Sequence, residues 1–432
     1  MYKATVILSP SAAMVEVTPS FWLIAPFAIL LLLIAVVPLN APRFWEKFHP
    51  WAAAIPGAFT SLVYLTREGG PHLLFTAAHE YVSFIALTGS LFVICGGIHI
   101  GVKGEATPRD NCLLLLLGAL LANVVGTTGA SMLLIRPWIR MNKYRITEFH
   151  IVFFIFIVSN VGGLLTPVGD PPLFLGYLKG IPFWWVAQHC WLIWCTAVAV
   201  LIAVFYLLDR KNFLRAPARV REAQTASETW KIRGWMNAGL LAAVQAALLL
   251  PTGWREGVLA SAAWTSWKFT PRPIHEANDF TLDPIKEVGW LFAGLFLTML
   301  PALELLRAHA ANTGLSEPIH FFWATGFLSA ILDNAPTYLA FLSAACGLHE
   351  LDLQKNALKF ALDHGPLLKA ISTGAVFFGA LTYIGNGPNL MVKHIAQQHK
   401  AATPSFGTYI WKYSLPVLLP ILCVISILFF YR

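Results

Sequence analysis

The chain has 432 residues, 57% hydrophobic and 12% charged, about half the roughly 25% charge of a soluble domain. That composition excludes an ordinary soluble enzyme or binding module and points to a polytopic membrane protein, since several apolar runs reach the about 20 residues a helix needs to cross a bilayer. The formal net charge of +8 gathers in loops as a positive-inside bias does, and no recognition motif accompanies it to suggest a nucleic-acid partner.

In chain order, residues 1–20 hold one Lys and a short apolar run broken by Ser and Pro, which does not make a cleavable signal. Spans are predicted near 22–40, 50–66 and 79–100, the last opened by His79-Glu80. A broken segment follows at 111–141, a second at 149–178, and a span at 184–208 that carries Trp184, Trp185, Trp191 and Trp194, more tryptophan than interfacial anchoring alone needs. Residues 209–233 hold seven Lys/Arg against three acids and read as a cytoplasmic linker. Beyond it come 235–251, a weaker candidate at 255–271 that carries Lys268, and 286–306, opened by Lys286-Glu287. Broken segments at 320–346 and 367–395 and a span at 411–430 complete the chain, with 350–364 as a solvated or interfacial helix. The organisation is thus one repeat over 1–208, a linker over 209–233 and a second repeat over 234–432. The six cysteines (95, 112, 190, 195, 346 and 423) are scattered and form neither a zinc spacing nor a disulfide framework.

The breaks carry the function. In 111–141 the arms Asn111–Ala122 and Ala130–Met141 flank a polar, glycine-containing tip from Asn123 to Gly129. Each arm is about twelve residues, roughly 18 Å of helix, too short for a hydrocarbon core of about 30 Å. The layout recurs with arms 320–332 and 337–346 around Asp333-Asn334-Ala335-Pro336. Both read as re-entrant hairpins, which makes each half about five spans and inverts the second half; the alternative is a kinked span in each place, with halves of parallel orientation. Loop charges fit the two topologies almost equally, and the short arms and polar tips favour hairpins. The other two breaks, Gly169-Asp170-Pro171-Pro172 and Gly385-Asn386-Gly387-Pro388, interrupt apolar runs with prolines that cannot continue a helix. Paired breaks in corresponding places of two halves mark a transporter's binding site, and non-helical backbone at membrane depth must be buried in protein or line a cavity.

The four breaks, Asn123-Val-Val-Gly-Thr-Thr-Gly-Ala-Ser, Ser159-Asn-Val-Gly-Gly-Leu-Leu-Thr-Pro-Val-Gly-Asp-Pro-Pro, Leu332-Asp-Asn-Ala-Pro-Thr and Gly385-Asn-Gly-Pro-Asn, resemble in order and spacing the signature breaks of the ion transporter superfamily. That group contains the NhaD-type sodium/proton antiporters, arsenite permeases and citrate and dicarboxylate transporters, and the resemblance covers roughly 79–430. It implies inverted repeats, two hairpins and an elevator-type, usually homodimeric carrier.

The residues themselves suit a small hard cation, which takes carbonyl, amide and hydroxyl oxygens with a carboxylate for charge. Asn123, Thr127, Thr128, Ser131, Asn160, Thr166, Asn334, Thr337, Asn386 and Asn389 are the polar candidates, with Asn123, Asp333, Asn334, Thr337 and Asn386 as the sodium set. Asp170 and Asp333 are the candidate proton and ion carriers, because ionisable residues at membrane depth are costly and by default functional. Each could instead simply cap a half-helix. A carboxylate in a low-dielectric cavity holds its proton until a cation displaces it, and that competition is antiport. Glu80 and Glu287 are weaker candidates that more simply stay in interfacial water. His79, His99, His150 and His320 read more simply as interfacial than as pH sensors, and Gly162-Gly163 as a place of close helix approach.

Sodium/proton antiport is therefore the first expectation, in a bacterial inner membrane, with Na⁺ and H⁺ as cargo and no cofactor. Sodium- or proton-coupled transport of citrate or another carboxylate, or of arsenite, is the alternative. No arginine lies at any break to clamp a carboxylate, and a negative Asp333 would repel a di- or trianion. A channel or an embedded enzyme is the third class, and no nucleophile or metal motif at membrane depth speaks for an enzyme.

Overall fold

A computed structural model describes residues 20–102, 106–215 and 231–431. Residues 1–19, on which the leader reading rests, and 216–230 of the linker lie outside them. The described chain is helical almost throughout, with one two-stranded antiparallel ribbon. Among the described residues, seven helical stretches are by length and composition apolar enough to cross a membrane, the 34-residue Pro108–Met141 with its internal break among them.

In the first half, α1 (Ala25–Asn40) and α2 (Pro42–Leu65) precede α3 (Gly70–Gly96), β1 (His99–Gly101), α4 (Pro108–Met141), α5 (Glu148–Ile157), α6 (Pro171–Leu178) and α7 (Trp185–Arg215). After β2 (Lys231–Arg233), which pairs with β1, come α8 (Trp235–Ala247), α9 (Trp254–Phe269), α10 (Arg272–Ala277) and α11 (Asp283–Ala308). The chain then runs through α12 (Pro318–Ile331), α13 (Asn334–Leu348), α14 (Leu353–Asp363), α15 (Gly365–Phe378), α16 (Gly387–Gln398) and α17 (Phe406–Phe429). The span boundaries read from hydropathy shift accordingly. His79 and Glu80 stand inside α3 rather than at its start, and α7 continues to Arg215, so the linker's first residues are helical.

α4 is a hairpin. Its start is fixed by Thr107 and Asp110, which cap each other's backbone N–H groups. At Gly126 the backbone turns to φ +78°, a conformation open to glycine and strained for other residues. The arms then fold back: Asn111 and Asn142 exchange amide hydrogen bonds of 2.8 and 3.0 Å, whereas an unbroken helix would hold them about 46 Å apart. α12 and α13 make the second hairpin, closing Phe321 against Phe341 with ring centroids 6.4 Å apart. A third fold-back joins α8 and α9, of 13 and 16 residues. At its base Asn237 donates to Gly97 O and to Thr270 Oγ1, and at its turn Tyr177 donates to Leu248 O. Both helices, roughly 20 and 24 Å long, fall short of a straight crossing of about 30 Å, so the stretches 235–251 and 255–271 are shorter than a full span. Pro251 and Gly253 set that turn.

The centre of the molecule is α5. Its sequence is apolar all round, and Ile151 to Val158 are fully buried, as a helix enclosed on every side requires. α2 and α3 pack on α11 and α9 packs on α3, while α13 packs on α6 and α16 on α4. The mouth of the first hairpin lies at the Asp209 end of α7, where Asn111 donates to Asp209 at 2.8 Å. The second hairpin leads into α14 near the other end of α7, where Trp185 donates to Ala361 O at 3.1 Å. Those two points are about 36 Å apart along one helix.

Candidate functional site: a buried carboxylate where four breaks meet

The two interrupted helices fail in the same way. α5 ends in a 3-10 turn, Val161–Leu165, and α15 in another, Gly379–Leu381. Each turn is followed by an extended threonine, Thr166 or Thr382, whose hydroxyl receives the N–H of the glycine three residues on, Gly169 or Gly385. A Cβ on Gly169 would lie 2.0 Å from Gly163 O, and one on Gly385 2.7 Å from Gly379 O, so both loops close only around glycine. The next residue, Asp170 or Asn386, takes the N-cap position of a half-helix with extended backbone and no side-chain capping bond. At α6 the reason is visible in the sequence, because Pro171 and Pro172 have no N–H to offer. The side chain is therefore free to turn inward.

Asp170 is 1% exposed and gathers one side chain from each of the other three breaks. Thr127, at the first hairpin tip, donates its hydroxyl to Oδ1 at 2.7 Å; Asn386 donates to the same oxygen at 3.0 Å; Asn334, from the second hairpin, donates to Oδ2 at 2.5 Å. All the donors are neutral, and among the described residues no ion pair reaches Asp170. Asn334 is itself fully buried, and its Oδ1 has no hydrogen-bond partner. Beside this group lies a cavity of about 30 Å³ bounded by Thr127, Thr128 and Asp170 on one side and by Phe84, Leu87 and Leu91 of α3 on the other. That is room for a water or a single small ion.

The other candidates divide into those that brace the breaks and those that stay local. Asn123 donates to Ala119 O and Gly162 O and accepts from Leu165 N, so its amide is used up on backbone. Thr166 donates to Asn123 O, and Ser131 and Ser159 share a 2.7 Å bond. Asn160 and Asn389 are joined at 2.7 Å, and Asn386 reaches Asn160 as well, which ties the two interrupted helices together. Thr128 lines the cavity. Asp333 caps α13 through Ala335 N at 2.9 Å, and Thr337 bonds back to the Asp333 carbonyl within the same helix. Asp333 is only partly buried. Asp333 thus makes a capping bond and Asp170 makes none.

Several side chains that the sequence left in ordinary roles are placed otherwise. Glu80 is buried and receives Lys179 Nζ on both oxygens at 2.6 and 2.7 Å, joining α3 to the end of α6 rather than sitting in interfacial water. Glu287 accepts the Trp45 indole N–H at 2.6 Å. His150 is buried, not interfacial, in a cluster with Asp209 and Arg145. Gly162 does permit close approach, its Cβ position lying 2.7 Å from Ala119 Cα. Trp194 donates to Gly162 O and Trp185 to Ala361 O, while Trp184 and Trp191 are exposed. Thr382 was missed as a partner of Thr166. The signal was available, since Gly163-Leu-Leu-Thr-Pro-Val-Gly-Asp170 and Gly379-Ala-Leu-Thr-Tyr-Ile-Gly-Asn386 share one pattern of Gly, Leu, Thr, Gly and an Asp/Asn.

The sequence matches the family described as "Putative citrate transport" over residues 16–430, almost its whole length. The chain belongs to this family. It is a multi-pass membrane transporter of small solutes, and the resemblance read from the four breaks holds at family level. It is also similar to a "46 kDa membrane protein" of Mycobacterium leprae (strain TN), 27% identical over 321 residues that make up 70% of this chain and 72% of that protein.

Proposed function

We propose that this member of the family is a cation/proton exchanger, with Na⁺ or a similar ion as cargo and Asp170 as the group that holds either the proton or the ion. The observation that carries the reading is the constellation at Asp170. One buried carboxylate faces neutral donors only, in a space of about 30 Å³. A cation entering that space meets a negative charge and the Thr127 hydroxyl, and behind them the Asn334 amide that holds Asp170 keeps an unpartnered Oδ1; these are hard oxygen ligands. Taking the ion up with the carboxylate protonated would leave an uncompensated charge at membrane depth, and that cost couples ion entry to proton release. Asp333, nearby and negative, adds to the attraction for a cation and to the repulsion of an anion.

The halves are inverted about Asp170, which the opposite ends of α7 reached by the two hairpins favour. The hairpins and half-helices move as one body against α2, α3 and α11, and the apolar wall of α3 beside the cavity suits such sliding. The carrier works as a homodimer in a bacterial inner membrane.

A second reading is transport of citrate, favoured by the family's description. Citrate is far larger than the space of about 30 Å³ and meets no cationic side chain at Asp170, so in this reading it travels as a metal complex with its charge largely neutralised. Purified protein in liposomes with an interior pH probe separates the two. Exchange predicts proton movement on adding Na⁺ or Li⁺ without citrate. Proton movement that requires citrate overturns it in favour of the second reading.

A further inference from the structure

Three buried asparagines at the breaks, Asn389, Asn160 and Asn386, form a chain whose polarity the backbone fixes. Asn389 stands on α16, just past the second broken stretch, and its amide nitrogen donates to Gly379 O at 2.8 Å and to Thr382 O at 2.9 Å. Both of its hydrogens are spent, so it faces Asn160 with Oδ1. Asn160 donates to that oxygen at 2.7 Å and to Ile155 O at 2.9 Å. Its hydrogens are spent in turn, and its Oδ1 accepts from Asn386 Nδ2 at 3.2 Å. The same nitrogen reaches Ser159 O at 3.2 Å and Asp170 Oδ1 at 3.0 Å, so its two hydrogens serve three acceptors. The direction of donation is thus set by two backbone carbonyls of the second half and passed through three amides to the carboxylate.

That direction decides what Asp170 meets. An amide has a donor end and an acceptor end of nearly the same shape, and Asn386 makes no capping bond that would tell them apart. Asp170 selects the nitrogen only while charged, because a protonated carboxyl donates as well as accepts. Ser159 O and Asn160 Oδ1 select it in both states, so a donor is in place before the proton leaves and favours the charged form. Of the other elements around Asp170, α3 presents apolar side chains, α4 presents Thr127, and the second hairpin presents Asn334 and, next to it in the chain, the acid Asp333. The relay has no equivalent in the other half. With Asp170 aligned on Asn386, the counterparts of Asn160 and Asn389 are Val376 and Leu173, whose side chains carry no polar atom.

We infer that Asn160 and Asn389 are positioning residues, which hold the Asn386 amide as a standing donor and so set the pH at which Asp170 releases its proton. Neither lines the cavity beside Asp170, and the Oδ1 of each already receives an amide hydrogen, so neither is a ligand of the ion. The inference rests on the reading of Asp170 as the titrating carboxylate.

The test is a pH titration, without Na⁺ or Li⁺, of the protonated-carboxyl infrared band that Asp170→Asn removes from the purified full chain. Loosening the donor disfavours the charged form. Asn160→Ala is therefore expected to raise the midpoint by about one pH unit, a tenfold gain in proton affinity. Asn389→Ser, one link farther away, is expected to shift it the same way and less, and decides alone if Asn160→Ala does not fold. Na⁺ affinity measured about two pH units above each midpoint, where Asp170 is charged in every variant, is expected to match the wild type; an ion ligand would lose affinity there too. Midpoints unmoved or lowered in the folded variants, a fall in Na⁺ affinity above the midpoint, or a wild type with no band assignable to Asp170 overturn the proposal. A band that shifts in Asn160→Ala but ignores Na⁺ and Li⁺ in the wild type overturns ion exchange and supports the relay.

Discussion

At the scale of single residues, the decisive contrast is between Asp170 and Asp333. Both begin half-helices, yet one is spent on its own helix and the other is withheld from it by two prolines. Asn334 is the residue through which that contrast acts, because it bonds Asp170 with its amide nitrogen and leaves its oxygen open. Hydrogen bonds to charged groups contribute about 1.5–3 kcal/mol, so Asn334→Ala is expected to lower apparent cation affinity at least tenfold in the exchange assay. Thr337→Ala is the control, expected within about twofold of wild type, since the Thr337 hydroxyl bonds only its own helix. The acid and its paired amide at Asn386 were legible in the sequence as interruptions of apolar runs. What could not be read there was which polar neighbours reach Asp170. Asn123 and Asn334 look alike beside their breaks, but packing turns one amide onto backbone and the other onto Asp170.

Among the elements, the hairpins and half-helices were legible because glycine, proline and arm length are local properties. The buried ionic clusters were not, because their members are far apart in sequence. Asp209 receives Arg145, His150 and Asn111 at the mouth of the first hairpin, tying α4, α5 and α7 together. Read along the chain, Asp209 is merely the first residue of a basic loop. Its fully buried carboxylate is the counter-charge of an almost fully buried arginine, and removing one partner of such a pair costs about 3–5 kcal/mol. Asp209→Ala is therefore expected to lower the melting temperature of the purified protein markedly and to reduce its yield. An unchanged melting curve would mean that the cluster does not hold the hairpin mouth. The Glu80–Lys179 pair poses a similar case between α3 and α6, where the proposed moving body meets its surround.

For the whole molecule, the open question is orientation. Hydropathy gives the succession of elements, but loop charges divide almost equally between inverted and parallel halves. Contacts across the molecule add what the sequence lacks: the mouth of the first hairpin meets the Asp209 end of α7, and the end of α14, the helix after the second hairpin, meets its Trp185 end. Single cysteines at Arg109 and Lys355, both exposed beside those mouths, in a background without the native cysteines, are expected to react with an impermeant thiol reagent from opposite faces of the membrane. Labelling from the same face would contradict inverted halves.

The central claim is that a proton and a cation compete for Asp170, and proton release on ion binding tests it most directly. Purified protein in weakly buffered detergent solution, given Na⁺ or Li⁺ with choline as the control, should release protons in step with ion binding. Asp170→Asn should release none while keeping the wild-type melting temperature. Proton release from Asp170→Asn equal to that of the wild type would contradict the account.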